Sequence, residues 1–353
     1  MSAVAAGGLL DLAPFGARDD ERLRSELERL TQAHLAGCPE FAAMWPDWTP
    51  DGTLAGLPYV HTQVFKHLRL RTTGEGIEHG RDITSSATSG GAPSSIALDA
   101  ASSALQARST TAILEAFVGN APRPLVVLDA PKSLRSRALT ARVAAALALR
   151  PLSTDLHVVL ADADDPGSVR WDAVARAIEG QDELLVYGFT WMLWLAWGAA
   201  ALPPELAAAL RGVRVDFVHS GGWKKLEALA VSPEQLEGAL LRTCAPGSSV
   251  LDYYGVAEQV GVIFPLCEHG VRHAPAWAEV LVRDPWTLAP LGPEEDGMLQ
   301  LLNVLALGAP YHSVLTEDVG RLHAGPCPCG REGRTFTLDG RVPQAEVRGC
   351  ANV

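Results

Sequence analysis

The sequence reads as a mostly parallel α/β protein that gives way, late in the chain, to a small antiparallel β region. Two observations predict this. Short apolar runs bounded by turn residues alternate with helical stretches as far as Tyr253, the pattern of strands joined by crossover helices. From Glu279 onward the texture changes to short strand-like runs separated by Pro and Gly, the punctuation of antiparallel turns.

The elements follow in order. Residues 19–36 place Leu23, Leu27, Leu30 and Leu35 among charges at helical spacing. Residues 39–58, rich in Pro, Trp and Gly, read as loop. Residues 83–98 are almost all Ser, Thr, Gly and Ala, closed by Ile96-Ala97-Leu98, and residues 100–118 read as a helix. Strands are expected at 124–128, 156–160, 183–186, 213–219 and 250–253, with a helix at 168–179. After the 183–186 strand we expect a turn at Tyr187-Gly188 and then a buried helix holding Trp191, Trp194 and Trp197. Short strands are expected at 279–282, 298–304 and 313–315. The organisation is therefore an entry region of helix and loop (1–80), an α/β core (81–278), an antiparallel region (279–339) and a tail (340–353).

Composition narrows the class. The chain has 353 residues, 48% hydrophobic and 20% charged, an ordinary globular mixture. A formal net charge of -12 disfavours a non-specific nucleic-acid binder, which needs a basic surface. It leaves room for a small anion in a local amide-rich pocket. The N-terminus lacks a basic stretch followed by an apolar core, so no secretory signal is read. Residues 184–202 approach the roughly 20 residues of a membrane helix. Their Tyr187, Gly188 and Thr190, and tryptophans set internally, argue for buried strand and helix instead. A cytoplasmic location is expected. Three of the six cysteines fall in the last 27 residues, which suits a metal site or reactive thiol better than a disulfide framework.

Three motifs carry chemistry. In Thr84-Ser85-Ser86-Ala87-Thr88-Ser89-Gly90-Gly91-Ala92-Pro93-Ser94, dense hydroxyls and glycines offer donors to a phosphate and permit close approach; a flexible linker is the alternative. In Asp252-Tyr253-Tyr254-Gly255-Val256-Ala257-Glu258, a strand end presents a Tyr that can stack on a base and a Glu that can hold magnesium; a strand-end turn with a solvated Glu is the alternative. In Thr316-Glu317-Asp318-Val319-Gly320-Arg321, a carboxylate at a turn can accept from two ribose hydroxyls, or be an ordinary acidic turn.

Together, in this order, the three motifs resemble those of the adenylate-forming superfamily of acyl-CoA synthetases and luciferases. Pro58 to Lys66 (PYVHTQVFK), Ser220-Gly221-Gly222-Trp223-Lys224 and Cys327-Pro328-Cys329-Gly330-Arg331 are similar to the acyl-protein synthetase (LuxE-like) and phenylacetate-CoA ligase branch. The resemblance implies the large N-terminal domain of the adenylate-forming fold, with residues 81–278 as its nucleotide- and acyl-binding core. It also implies ATP and Mg2+ as cofactors and a carboxylic acid as substrate. Ser86, Thr88, Ser89 and Gly90 would hold the β- and γ-phosphates. Ser220, Gly221 and Gly222 would border the adenine and acyl pocket. Tyr254 and Gly255 would meet adenine, Glu258 magnesium and Asp318 the ribose; Lys224 is a further catalytic candidate. The phosphate segment departs from the family in having Ala87 where glycine is usual, one extra residue, and Ser94 where many relatives have lysine.

Residues 340–350 resemble the hinge into the small mobile C-terminal domain of typical members, which is expected to be absent here. Acyl-protein synthetases share this short form and carry an acyl-accepting cysteine near the C-terminus, and Cys350 matches that position. A thiolate there would attack the mixed anhydride, with AMP leaving; Arg348 would favour the thiolate. An incidental terminal cysteine is the alternative. Cys327 and Cys329 need further ligands to complete a tetrahedral site. Cys267, His269 and His273 are available, and the set chosen is Cys267, His273, Cys327 and Cys329, resembling a structural zinc site of some relatives; free cysteines in a turn remain the alternative.

The expected function is formation of an acyl-adenylate and transfer of the acyl group to a thiol, Cys350 or a partner's. A CoA ligase or carrier-protein-loading enzyme is the second reading, and a catalytically inactive scaffold subunit of an acyl-reductase complex the third. Partners would be an acyl carrier, acyltransferase or reductase.

Overall fold

The computed structural model describes residues 8–85, 93–135 and 139–342. These fall into two compact units, one formed by 1–113 with 256–353 and the other by 114–255. Strands are labelled in chain order: β1 (Val60–His61), β2 (His79–Thr84), β3 (Ser95–Asp99), β4 (Arg123–Val127), β5 (Leu139–Thr140), β6 (Ser153–Val158), β7 (Glu183–Phe189), β8 (Arg214–Ser220), β9 (Ser249–Tyr254), β10 (Phe264–Pro265), β11 (Arg272–His273), β12 (Ala278–Arg283), β13 (Asp296–Asn303), β14 (Ser313–Leu322) and β15 (Thr335–Arg341).

The 114–255 unit contains the parallel sheet. Its strands lie in the order β9-β8-β7-β4-β6, and each neighbouring pair is parallel. Of these five strands the earliest in sequence, β4, lies between the next two, β6 and β7. That arrangement is a topological switch point, where open α/β sheets bind ligands at strand carboxyl ends. Ser220 and Tyr254 are the last residues of β8 and β9, so both stand at that edge. The central strands β4, β7 and β8 are covered on both faces, and Val126, Leu184, Val186, Val215 and Phe217 are all fully buried.

The expected turn at Tyr187-Gly188 is not formed. β7 runs through both residues, pairing Tyr187 with Val218 and Gly188 with His219. A β-carbon at Gly188 would lie 3.2 Å from Leu128 and Leu193 side-chain atoms, so this glycine serves close packing rather than a bend. The helix that follows is short, Thr190–Leu193, and continues as a π-turn, Trp194–Gly198. Trp197 is core, packed edge-on against Trp171 at 5.7 Å and Phe217 at 5.5 Å. Among the described residues no helix is long and apolar enough to cross a membrane.

The other unit is built on an antiparallel sheet, β11-β15-β14-β13-β12, with β1 added in parallel to β14. The helix expected at 19–36 forms as Asp20–Gly37, with Asp19 accepting a capping bond from the backbone of Arg22 and Leu23, Leu27 and Leu30 buried. The 39–58 stretch is not all loop: Pro39 opens a short helix, Pro39–Met44, as its fixed φ suits a first helical turn. β2 and β3 form a hairpin, so the Ser/Thr/Gly segment connects two paired strands. The helix Ala100–Val118 has the expected bounds.

The strand expected at 313–315 is much longer, β14 reaching Leu322. The Thr-Glu-Asp motif is therefore not a turn but part of a strand, interrupted by a bulge. Met298 pairs with Val319 and Gln300 with Leu315, so Thr316, Glu317 and Asp318 face Leu299 alone. A bulge of this kind bends the strand and re-aims its side chains.

Candidate active site

Asp318 is set by the bulge. Thr316 Oγ1 donates to the Leu299 carbonyl at 2.9 Å and accepts from the Asp318 amide at 3.1 Å, which replaces ladder bonds lost at the irregularity. Across the sheet Arg341 Nε donates to Asp318 Oδ1 at 2.7 Å. Asp318 remains only 7% exposed.

Glu258 comes from a short turn, Ala257–Gln259, pinned by its last residue. Gln259 Nε2 donates to the carbonyls of Leu301 at 3.0 Å and Tyr311 at 2.7 Å, and Asn303 Nδ2 donates to Gln259 Oε1 at 2.8 Å. With Gln259 locked inside, Glu258 is held nearly buried. Burial pushes its carboxyl above the usual range, opposed by the Ser94 hydroxyl; the charge of Asp318 raises it further and that of Lys66 lowers it. Ser94 Oγ has no partner of strict hydrogen-bond geometry, yet it stands near enough to Glu258 to favour the ionised form.

Ser94 also closes the neck of the Ser/Thr/Gly segment. The Ser85 amide donates to the Ser94 carbonyl at 3.1 Å, and the Ser94 amide to Ser85 Oγ at 2.9 Å. One unit thus holds the two buried carboxylates, Glu258 and Asp318, together with the base of the segment. Ser86, Thr88, Ser89 and Gly90 lie outside the described residues, as do Cys350 and the side chain of Lys224. The sequence reading gave no roles to Thr316, Arg341 or Lys66. Lys66 did stand in the quoted PYVHTQVFK run, but nothing in its type marked it.

In the 114–255 unit, Ser220, Gly221 and Gly222 form the turn after β8. Gly221 and Gly222 have φ of 84° and 56°, a left-handed pair that glycine adopts without strain. A β-carbon on Gly221 would lie 3.3 Å from the Phe189 ring. Thr190 Oγ1 donates to the Ser220 carbonyl at 3.2 Å and shares a hydrogen bond with His219 Nδ1 at 3.0 Å. Tyr187 and Tyr253 are buried beside this turn, and the Tyr187 hydroxyl has no hydrogen-bond partner of strict geometry; burial pushes both phenols up. Tyr254 is 8% exposed and Gly255 is open to solvent.

Cys267, His273, Cys327 and Cys329 meet in the 1–113/256–353 unit, their ligand atoms all within 4.8 Å of one another. Cys267 and Cys327 sulfurs are 3.8 Å apart, and Cys329 Sγ is 3.3 Å from His273 Nε2. A tetrahedral zinc with Zn–S bonds of about 2.3 Å has S···S edges of roughly 3.8 Å, so the donors fit that ion, and the sulfurs are too far apart for a disulfide. His269 is not in the group; its amide donates to Cys267 Sγ at 3.4 Å. The N-terminal segment lies against the cluster: the Phe15 ring meets His273 edge-on at 6.0 Å, the Phe15 carbonyl accepts from Glu332 at 2.9 Å, and Pro14 from Ala276 at 2.7 Å. Arg18 then pairs with the buried Glu279 at 2.7 Å.

Comparison with known structures gives the fold. An open conformation of 2-hydroxyisobutyryl-CoA ligase, bound to 2-HIB-AMP and CoA, superposes with a TM-score of 0.63 at 17% identity, covering 92% of this chain and 75% of that one. ATP-bound MatB from Rhodopseudomonas palustris superposes at 0.50 and 16%, covering 76% and 50%. The fold is that of adenylate-forming CoA ligases. More narrowly, residues 44–353 match the profile of the family described as acyl-protein synthetase, LuxE, and the chain belongs to that family. Two curated relatives are named long-chain-fatty-acid–luciferin-component ligase. The one from Vibrio harveyi is 27% identical over 139 residues, 38% of this chain and 35% of its own. The one from Aliivibrio fischeri is 25% identical over 142 residues, 40% of this chain and 37% of its own. The match thus spans little more than a third of those relatives.

Proposed function

We propose that this chain activates a carboxylic acid with ATP and passes the acyl group to a thiol. One carboxylate oxygen of the acid bonds to the α-phosphorus, the bond to the β-phosphate oxygen breaks, and pyrophosphate leaves with the electron pair. The acyl-adenylate is then attacked by a thiolate, Cys350 or a partner's, and AMP leaves. The observation that supports this reading is that two buried carboxylates, Glu258 and Asp318, lie in the same unit as the buried Ser94, which closes the neck of the Ser/Thr/Gly segment.

In this reading Glu258 holds Mg2+, which neutralises phosphate charge, and Asp318 accepts from the ribose hydroxyls, steadied by Arg341. Ser86, Thr88, Ser89 and Gly90 take the β- and γ-phosphates. Ser220, Gly221 and Gly222 border the adenine and acyl groups, and Tyr254 with Gly255 meets adenine; Lys224 is kept as a catalytic candidate. Cys267, His273, Cys327 and Cys329 hold a structural zinc, which supplies a cross-link between β11 and the turn before β15. The acid substrate, a reductase or acyltransferase partner and a cytoplasmic setting belong to the same proposal.

Acid-dependent exchange of labelled pyrophosphate into ATP, across fatty, aromatic and amino acids, tests the first step. Complete absence of exchange with every acid would discard it in favour of a scaffold role. Cys350→Ser separates the acceptors: exchange persists and the covalent acyl-enzyme is lost if Cys350 is the thiol, whereas full product formation points to CoA or a carrier.

A further inference from the structure

Lys66 closes a short 3₁₀ turn, Thr62–Lys66, that is fixed from several sides. Before it, Val60 and His61 pair with Val314 and Leu315 of β14. Within it, Phe65 is 2% exposed, and Gln63 Nε2 donates to Glu317 Oε1 at 2.6 Å. The His61 ring accepts from the Gln63 amide at 3.2 Å, and the His67 and Leu68 amides close on the Val64 carbonyl at 3.0 and 2.8 Å. The turn packs against β14, which carries Asp318, and against β3, which leaves the Ser/Thr/Gly segment. Its half-buried lysine is therefore held by the two strands that frame the site, and its charge acts on Glu258.

The charge balance explains what such a lysine is for. Glu258 and Asp318 bring two carboxylates, and Arg341 is engaged with Asp318. A triphosphate placed there needs positive charge beyond magnesium. We propose that Lys66, carried on the β1 turn, contacts the β- and γ-phosphate oxygens of bound ATP and is a catalytic residue of adenylation. This rests on the reading of the site as an ATP site. As the bond between the α-phosphorus and the bridging oxygen breaks, negative charge grows on the departing pyrophosphate. A fixed ammonium beside it stabilises that charge more than the ground state's.

The test uses the full chain with Lys66→Gln and Lys66→Arg, checked for unchanged melting temperature. In pyrophosphate exchange, Lys66→Gln should lose about 10²–10³-fold in kcat/KM, the scale of one preorganised charge donor, while Lys66→Arg keeps more of the rate. Binding of an acyl-sulfamoyl adenosine, which has no β- or γ-phosphate, should stay within about threefold of wild type, a shift below 1 kcal/mol by the usual conversion. Wild-type exchange rates in Lys66→Gln overturn the proposal. So does an equal loss in exchange and analogue binding, which marks a structural role. If wild type binds MgATP but exchanges with no acid, the adenylation reading fails, and Lys66 is then judged by binding alone. Lys66→Gln must weaken MgATP at least tenfold more than AMP, and equal weakening overturns it. A wild-type chain that binds no nucleotide sinks both.

Discussion

Arg341 and Asp318 are direct partners in the β14–β15 pairing, and their side chains close on each other at 2.7 Å. The arginine is 62% exposed and the aspartate 10%, so the pair contributes no more than about 1 kcal/mol to stability. Its use is to aim a carboxylate. Arg341→Ala should leave the melting temperature nearly unchanged and raise KM for ATP several-fold. Asp318→Asn, which removes a charge-assisted acceptor of about 1.5–3 kcal/mol, should weaken ATP by roughly 10–100-fold. Equal KM values for Asp318→Asn and wild type would remove the ribose role.

Glu258 should show a conflict between function and stability. Its carboxyl binds a proton more tightly folded than unfolded, because burial disfavours the charge. The fold therefore suffers no loss below the ordinary carboxylate pKa of about 4.3 and loses stability as pH rises through the raised folded value. Glu258→Gln should melt higher than wild type at pH 7.5 without magnesium, match it near pH 4, and lose pyrophosphate exchange. A variant that melts lower at pH 7.5 would show that the Ser94 contact outweighs burial.

The histidines His34 and His312 should set an acid limit. Their rings lie 4.7 Å apart, fully buried. His34 bonds to Thr72 Oγ1 at 2.6 Å and the Ala306 carbonyl at 3.0 Å, and His312 to Thr31 Oγ1 at 2.8 Å. Burial drives both imidazoles down, His34 to about 3. Their contribution is whole above the unfolded pKa of about 6.5 and is lost as pH falls towards 3, at up to about 1.4 kcal/mol per pH unit for each ring. His312→Asn should be less stable at pH 7.5 but decline less steeply between pH 6.5 and 4. Parallel wild-type and variant curves would exclude the pair as the cause.

Metal removal should loosen the N-terminal segment. Phe15 meets His273 edge-on, so a candidate ligand and the segment share one contact. Protein as purified should hold about one zinc per chain. Dialysis against a strong chelator should then speed tryptic cleavage after Arg18 by about tenfold, or roughly 1.4 kcal/mol of local stability. Less than about half an equivalent of zinc, or an unchanged cleavage rate, would count against the four-ligand site.

Much of this was legible in the residues, and what was not has a common cause. The helix Asp20–Gly37 announces itself through leucine spacing and its Asp19 cap, both local signals. Cys267, His273, Cys327 and Cys329 were suggested by resemblance to a set in some relatives, and their side chains do meet, although 60 residues separate the neighbouring Cys267 and Cys327. The bulge at Thr316 was not readable, since it exists only as a mismatch against β13. Lys66 was hidden for the same reason: its place follows from β1 joining β14, a pairing with Val314 that local sequence does not encode. Gly188 misled because glycine marks both turns and tight packing, and the neighbouring Leu128 and Leu193 side chains are what distinguish them.

The arm formed by Pro14, Phe15 and Arg18 has a practical consequence for anyone preparing this protein. The family match begins at residue 44, which invites a shorter expression boundary there. Cutting at that point would strip Arg18 from Glu279, whose side chain is 1% exposed, leaving a buried acid whose remaining described partners are the Val280 amide and Arg334. It would also uncover one face of His273. A trimmed version that precipitates or arrives without zinc would therefore report on the missing arm, not on the catalytic machinery.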